Sequence, residues 1–218
     1  MDRLEKMGDF FNNRRHEYDE HQTTNVDTDS VFYPFTAKCL PIKENAKVLD
    51  LGCGTGLELE HYFKLNPTAN ITGIDLAEGM LEILKEKFPD KELNLIVGSY
   101  FDVPFKKNEY DCVVSVESLH HFTQDEKIGL YKKIFSALKD DAYFLLTDYF
   151  ATSVEEEISL RQEYISIKKQ QNLADDEFYH FDTPLTIEHE IEAMKKAGFT
   201  KVEIIEDWGC TAVIKAIK

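Results

Sequence analysis

The residues of this chain whose types and spacing suit chemistry fall into two sets. The first is "VLDLGCGTG" at 48–56, where Gly52, Gly54 and Gly56 take alternate positions behind an apolar run that ends in Asp50 and encloses Cys53. Asp75 follows in "GIDLAEGML", 19 residues after Gly56. Glycines let a backbone approach a ligand closely and adopt angles that other residues avoid. A carboxylate just downstream can accept both hydrogen bonds of a ribose diol, or it can cap the helix that follows. The second set is "VESLHHF" at 116–122, where Glu117, His120 and His121 offer a carboxylate and two imidazoles. Histidine titrates near neutrality and suits general-base work. The alternative is that one histidine packs at a helix start while the other orients backbone.

The glycine spacing discriminates among ligands. A dinucleotide fingerprint reads G-x-G-x-x-G, and here the third glycine arrives one residue early. A triphosphate loop needs a Lys after its last glycine, and position 57 is Leu. What remains is acid-x-G-x-G-x-G. It opens the backbone without supplying a phosphate-binding lysine, which suits a ligand with an amino-acid arm and no pyrophosphate. A nicotinamide-dependent oxidoreductase is disfavoured.

For these residues to meet, elements must bring them to one edge. "AKVLDL" (46–51), "NITGIDL" (70–76), "LNLIVGS" (93–99), "YDCVVSV" (110–116) and "AYFLLTDY" (142–149) read as strands. Between them, 56–65, 77–88 and 123–139 carry helical spacing, the last opening on a Thr123/Glu126 capping box. Strict alternation predicts an α/β fold, a doubly wound and mainly parallel sheet with helices on both faces. Residues 1–45 read as one or two helices, with Phe10, Phe11 and Tyr18 on roughly one face. A charged helix is predicted at about 153–171, then the aromatic loop "EFYHFDTPLT", which could enclose a ligand or plug the core. A helix at about 186–197 ends at Gly198, and "KVEIIED" with "CTAVIKAIK" closes the chain as a hairpin.

Composition narrows the function classes. A chain of 218 residues predicts one domain: 1–45 as an N-terminal segment, 46–149 as the binding core, 150–185 as an insert, and 186–218 as a closing helix and hairpin. No window approaches 18 uninterrupted apolar residues, and "MDRLEKMGDF" lacks a secretory core, so the expectation is a cytoplasmic protein without membrane partners. The net charge of −16 argues against nucleic acid. The basic pairs at 14–15, 132–133, 168–169 and 195–196 read as solvated faces. Cys39, Cys53, Cys112 and Cys210 show no C-x-x-C pairing and read as free thiols. His16, His21, His120, His121 and His180 lack ligand spacing, so no metal is expected.

"VLDLGCGTG", "GIDLAEGML", "GSYFDVPF", "YDCVVSVESLHHF" and "KKAGFTKVEI", in that order, resemble the class I S-adenosylmethionine-dependent methyltransferases. The resemblance implies a Rossmann-like sheet of seven strands with the last antiparallel, and an N-terminal helical lid in "FFNNRRHEYDEH" that places Tyr18 near the methionine end of the cofactor. It implies S-adenosylmethionine as donor, S-adenosylhomocysteine as product, and a small-molecule acceptor methylated at O or N, by a monomer or homodimer. Gly52, Cys53, Gly54 and Gly56 then pass beneath the methionine arm, Asp50 lies near its amino group, Asp75 holds the ribose and Leu76 packs on the adenine. Val116 and Glu117 stand where the fourth strand opens into the active site. Many relatives read G-D-A at the third strand; here Gly98-Ser99-Tyr100 stands there, which makes Ser99, Tyr100 and Asp102 the candidates for the adenine end. Glu117, His120 and His121 are the candidates for catalysis. Alternatives are a tRNA or protein methyltransferase and a protein that binds the cofactor without turnover.

Overall fold

The computed structural model describes residues 3–25 and 29–218. Its centre is β1 (Lys47–Leu51), whose Val48, Leu49 and Leu51 are fully buried. β2 (Asn70–Asp75) lies on one side of it and β4 (Tyr110–Val116) on the other, both parallel to it. β3 (Leu93–Val97) and β5 (Leu138–Tyr149) extend the parallel sheet outward. β7 (Thr211–Ile217) runs antiparallel between β5 and β6 (Lys201–Asp207). The resulting order is β3-β2-β1-β4-β5-β7-β6.

Successive residues of β1 point into opposite layers, as the period of a strand demands. Val48 packs with Phe32, Leu59, Tyr62 and Leu84, carried by α3 (Asp29–Cys39), α4 (Leu57–Leu65) and α5 (Glu78–Lys87). Leu49 and Leu51 pack with Tyr131, Ile134 and Met194 of α6 (Gln124–Ala137) and α8 (Ile187–Ala197). Both faces are covered, which is why the strands read as continuous apolar runs. The Thr123/Glu126 capping box opens α6, and Gly198 closes α8 at φ 116°. Inside the second layer Lys127 is buried against Glu190, which also accepts the Tyr131 hydroxyl. Removing one partner of such a pair strands the other charge in the core, so it fixes how α6 meets α8.

Two expectations change. The N-terminal region holds three helices among the described residues, not one or two: α1 (Met7–Arg14), α2 (Tyr18–Asn25) and α3. A turn at residues 15–17 separates α1 from α2, so Phe10 and Phe11 sit on one helix while Tyr18 opens the next. Phe11 and Tyr18 still meet, ring centroids 6.0 Å apart, through the turn and not along one helical face. β5 starts at Leu138, earlier than its apolar run, because Leu138 pairs with Tyr110 directly after α6 ends. α7 (Val154–Gln170) fills the insert.

The parallel strands β1, β2, β4 and β5 deliver their carboxyl ends to one edge. Four acids therefore gather there: Asp50, Asp75, Glu117 and Asp148. In an open α/β sheet that edge is where ligands bind.

Candidate functional site

The glycine loop is shaped by its own backbone angles. Gly52, Gly54 and Gly56 have φ of 72°, 48° and 73°, the left-handed region. The Gly52 N–H donates to the Ile74 carbonyl at 2.8 Å, and the Gly54 N–H donates to Asp75 Oδ2 at 2.9 Å. Asp75 Oδ1 accepts from the Ala77 N–H at 2.8 Å. Asp75 thus ties the loop to the start of α5, whose N-cap is Ala77. Each of its oxygens keeps a second lone pair. Burial pushes its carboxyl above the usual range, and the Ala77, Gly54 and Leu76 N–H groups oppose that. A side chain at Gly52 would strike Ser118 Oγ at 2.0 Å, whereas one at Gly54 would meet nothing within 4 Å. The open space beside Gly54 is a cavity walled by Gly52, Asp75, Leu76, Met80 and Tyr100, and a nucleoside with an amino-acid arm fits this donor and acceptor set.

Beneath the loop lies a pair that the sequence reading did not single out in full. Asp50 is buried next to Glu58 of α4, and burial lifts both carboxyls above their ordinary range. Asp50 Oδ2 and Glu58 Oε1 are buried without a partner. Uncompensated carboxylate oxygens here suit a cationic group on a ligand. Glu58 sits in the first turn of α4, where an acid ordinarily reads as favourable to the helix dipole, so nothing marked it. Cys53 and Val116 line a smaller recess by the loop with Tyr18 and Glu58.

The adenine end departs from expectation. Tyr100 forms part of the cavity wall and its hydroxyl donates to the Ser118 carbonyl at 3.1 Å. Ser99 and Asp102 lie outside that wall: Ser99 Oγ accepts from the Phe101 N–H at 3.2 Å within the turn after β3, and Asp102 is exposed.

The N-terminal helices close over this cavity. Met7, Phe11 and Tyr18 complete its lining. Asn12 Oδ1 accepts from the Gly79 N–H at 2.8 Å, and Asp19 accepts from the Thr55 hydroxyl and pairs with Lys87. The lid is also joined to the insert. Met7 N–H donates to the Phe178 carbonyl at 2.9 Å, and His180 N–H donates to the Glu5 carbonyl at 3.0 Å, around a bridge between Lys6 and Tyr179. Part of the aromatic loop plugs the core and part lines a cleft. Phe178 packs on Phe101 and Phe122, while His180 and Asp182 face outward into a cleft.

That cleft, of about 530 Å³, shares Phe11, Tyr18, Glu117 and His121 with the smaller cavity beside Gly54. Glu117 has φ 49°, uncommon for a residue with a side chain, and its N–H donates to Thr147. Such strain persists where the surroundings hold it and often marks a functional position. His120 Nδ1 donates to Asp148 Oδ1 at 2.6 Å, and Asp148 also accepts the Leu119 and Tyr149 N–H groups, each at 2.9 Å. His120 Nε2 is 3.4 Å from Asp182 Oδ1. His121 Nδ1 lies 3.1 Å from the Phe181 carbonyl and 3.3 Å from Asp182 Oδ1. Burial opposes charge on His120, but Asp148 and Asp182 outweigh it and hold the imidazole well above its usual range. Burial and the neighbouring His120 charge push His121 down to about 3.

Of five scattered histidines the fold brings His120 and His121 together with Asp182, their ligand atoms all within 4.8 Å; Glu117, His120 and Asp148 form a second such group. Linear spacing hid both groupings. His16 stays exposed, and His180 stacks on Phe10 at 3.5 Å. Asp148 was missed, although an acid at the carboxyl end of a parallel strand was the signal already used for Asp50 and Asp75.

One residue of each basic pair is engaged by an acid or a carbonyl. Arg14 pairs with Glu5, Lys133 donates to the Tyr100 and Phe101 carbonyls, and Lys168 and Lys196 pair with Asp175 and Glu192. All four cysteines are free. Among the described residues no helix is long and apolar enough to cross a membrane.

Residues 48–141 match a family model described as a methyltransferase domain. The chain is 31% identical over 170 residues to a sterol 24-C-methyltransferase of Gibberella zeae, which covers 76% of this chain and 42% of that one. It is 24% identical over 187 residues to the carboxy-S-adenosyl-L-methionine synthase of Nautilia profundicola, covering 81% and 79%. The fold matches the human N-acetylserotonin methyltransferase solved with S-adenosylmethionine at a TM-score of 0.65 and 18% identity, over 94% of this chain and 56% of that one. The chain thus spans less than half of the sterol enzyme and most of the synthase.

Proposed function

We propose that the chain is a class I S-adenosylmethionine-dependent methyltransferase, in keeping with the methyltransferase-domain match over residues 48–141, and that it methylates an oxygen or nitrogen atom of a small molecule and releases S-adenosylhomocysteine. The observation that carries this reading is the meeting of two cavities at Phe11, Tyr18, Glu117 and His121. The sterol 24-C-methyltransferase relative, by its name, also takes a small acceptor, which it methylates at carbon.

S-adenosylmethionine, when bound, supplies a methyl group on a sulfonium sulfur, already activated for displacement. The chain is left with alignment, exclusion of water and removal of a proton from the acceptor. Asp75 would hold the ribose and Leu76 and Met80 the adenine. Gly52 and Gly54 would pass under the amino-acid arm, with the Asp50–Glu58 pair as the negative charge nearest its ammonium group. Met7, Phe11 and Tyr18 shut out water. Glu117, on the wall common to both cavities, is the carboxylate that orients the acceptor and receives its proton. His120 and His121 face the acceptor from the same edge. Phe10, Phe11 and Tyr18 beside Arg14 and Glu17 suit a small, partly apolar molecule with one polar group.

Calorimetry with S-adenosylmethionine and S-adenosylhomocysteine tests the donor half, with Asp75→Ala as control. Silence from the unmodified protein would sink the reading. Labelled cofactor offered to fractionated metabolites tests the acceptor half, and label appearing only in RNA or protein fractions would replace the small-molecule acceptor.

A further inference from the structure

We propose that His120 Nε2, His121 Nδ1 and Asp182 Oδ1 form a binding site for one divalent transition-metal ion of the zinc class, at the wall of the acceptor cleft. Two imidazoles and a carboxylate are the donor set of zinc and its late first-row neighbours. The site is built from two chain segments, 120–121 and 181–183. Thr183 locks them in register: its N–H donates to the His120 carbonyl and its hydroxyl to the His121 carbonyl, both at 3.0 Å.

The distances fit the edges of an ion's coordination shell. Asp182 Oδ1 is 3.4 Å from His120 Nε2 and 3.3 Å from His121 Nδ1. Charge-assisted N–H···O bonds close to about 2.7–2.9 Å. The neighbouring His120–Asp148 bond does so, at 2.6 Å. The contacts to Asp182 stay long. A tetrahedral ion with bonds of about 2.0–2.1 Å spaces its ligand atoms about 3.3–3.4 Å apart.

A supporting shell is present as well. Metal-binding histidines donate their other ring nitrogen to a carboxylate or carbonyl, which fixes the tautomer and the ring plane. Asp148 does this for His120, held in turn by the Leu119 and Tyr149 N–H groups. His121 turns the same Nδ1 toward the Phe181 carbonyl at 3.1 Å. Ion entry exchanges that hydrogen bond for a metal bond, with the ring proton on Nε2. The Asp182 side chain is 52% exposed, which leaves a path in from the cleft. Three protein ligands leave a coordination position open, the arrangement of catalytic zinc sites. On the reading of this cleft as the acceptor site, that position would take the acceptor's oxygen.

The test uses metal alone. The full chain, stripped by chelator and dialysed, is titrated with Co²⁺, whose four-coordinate complexes absorb in the visible, and then with Zn²⁺ in competition. One equivalent of cobalt with ligand-field bands, displaced by zinc, is expected. Asp182→Ala should weaken binding at least about 100-fold and remove the bands. Asp148→Asn, which touches no ion, should weaken it about 10- to 100-fold. Absence of stoichiometric cobalt binding, or unchanged affinity and spectrum in Asp182→Ala, overturns the site and assigns any binding to surface histidines such as His16. S-adenosylhomocysteine affinity measured on the same samples reports the fold of each variant. It also separates loss of the metal site from failure of the methyltransferase reading.

Discussion

The two halves of the site are built in opposite ways. The cavity beside the glycine loop has a floor held by backbone, with glycine N–H groups, strand carbonyls and one carboxylate from residues 50–77, and Met80, Tyr100 and the N-terminal helices add to its wall. The proposed acceptor cleft is held by side chains from α1, α2, the 117–121 turn, the end of β5 and the 178–183 loop. A backbone-built site tolerates little variation in sequence and reads as a motif. A cleft assembled from distant side chains can change its chemistry without disturbing the sheet. The same scaffold can therefore keep its donor while altering its acceptor.

That contrast can be broken from either side. The largest effect is expected from Gly52→Ala, which forces a side chain into the left-handed region and against Ser118. S-adenosylhomocysteine affinity should fall at least about 100-fold, ~2.7 kcal/mol, by calorimetry. Affinity within twofold of the parent would mean that the loop does not hold the cofactor. Glu117→Gln should lower kcat about 100-fold while leaving S-adenosylhomocysteine affinity nearly unchanged. An equal loss in both would place Glu117 with the cofactor and erase the division. Asp75→Asn keeps one acceptor oxygen and should cost about tenfold in cofactor affinity, ~1.4 kcal/mol. Phe10→Ala removes the ring stacked on His180 and should raise the acceptor KM several-fold, with cofactor affinity as before.

A control lies at the opposite edge of the sheet. Burial works against the charge of Asp111, but Lys139, Lys43 and the Lys47 N–H outweigh it and hold its carboxyl below the usual range. A depressed pKa stabilises the fold above the unfolded value, and the contribution is lost as pH falls through the folded one. Asp111→Asn should therefore cost about 1–2 kcal/mol at neutral pH in urea melts, a gap that closes in strongly acidic buffer. Neither half of the site should respond to it.

The fold was legible because its signals are local. Alternating apolar runs and helical periods located each strand and most helices, the Thr123/Glu126 box and Gly198 marked helix ends, and short spacing marked the closing hairpin. The division of α1 from α2 escaped because a three-residue turn without glycine or proline leaves the apolar spacing nearly helical. Ser99 and Asp102 were candidates because this chain departs from the family pattern at Ser99, and neither lines the cavity beside Gly54, Ser99 accepting from the Phe101 N–H within the turn after β3.

The sequence by itself determined the glycine loop, Asp50, Asp75 and the fold that presents them, because strand, turn and helix follow one another within a short stretch and their geometry is set by neighbours. Only the tertiary structure decided that Glu58 would join Asp50, that Asp148 would stand behind His120, and that Asp182 would face both histidines. Asp50 and Glu58 face each other across the glycine loop, whereas the histidine pairings span 28 to 62 residues, where β5 and the 178–183 loop return to the turn after β4. The closeness of such groups is created by the right-handed crossovers of the sheet, not by any spacing along the chain.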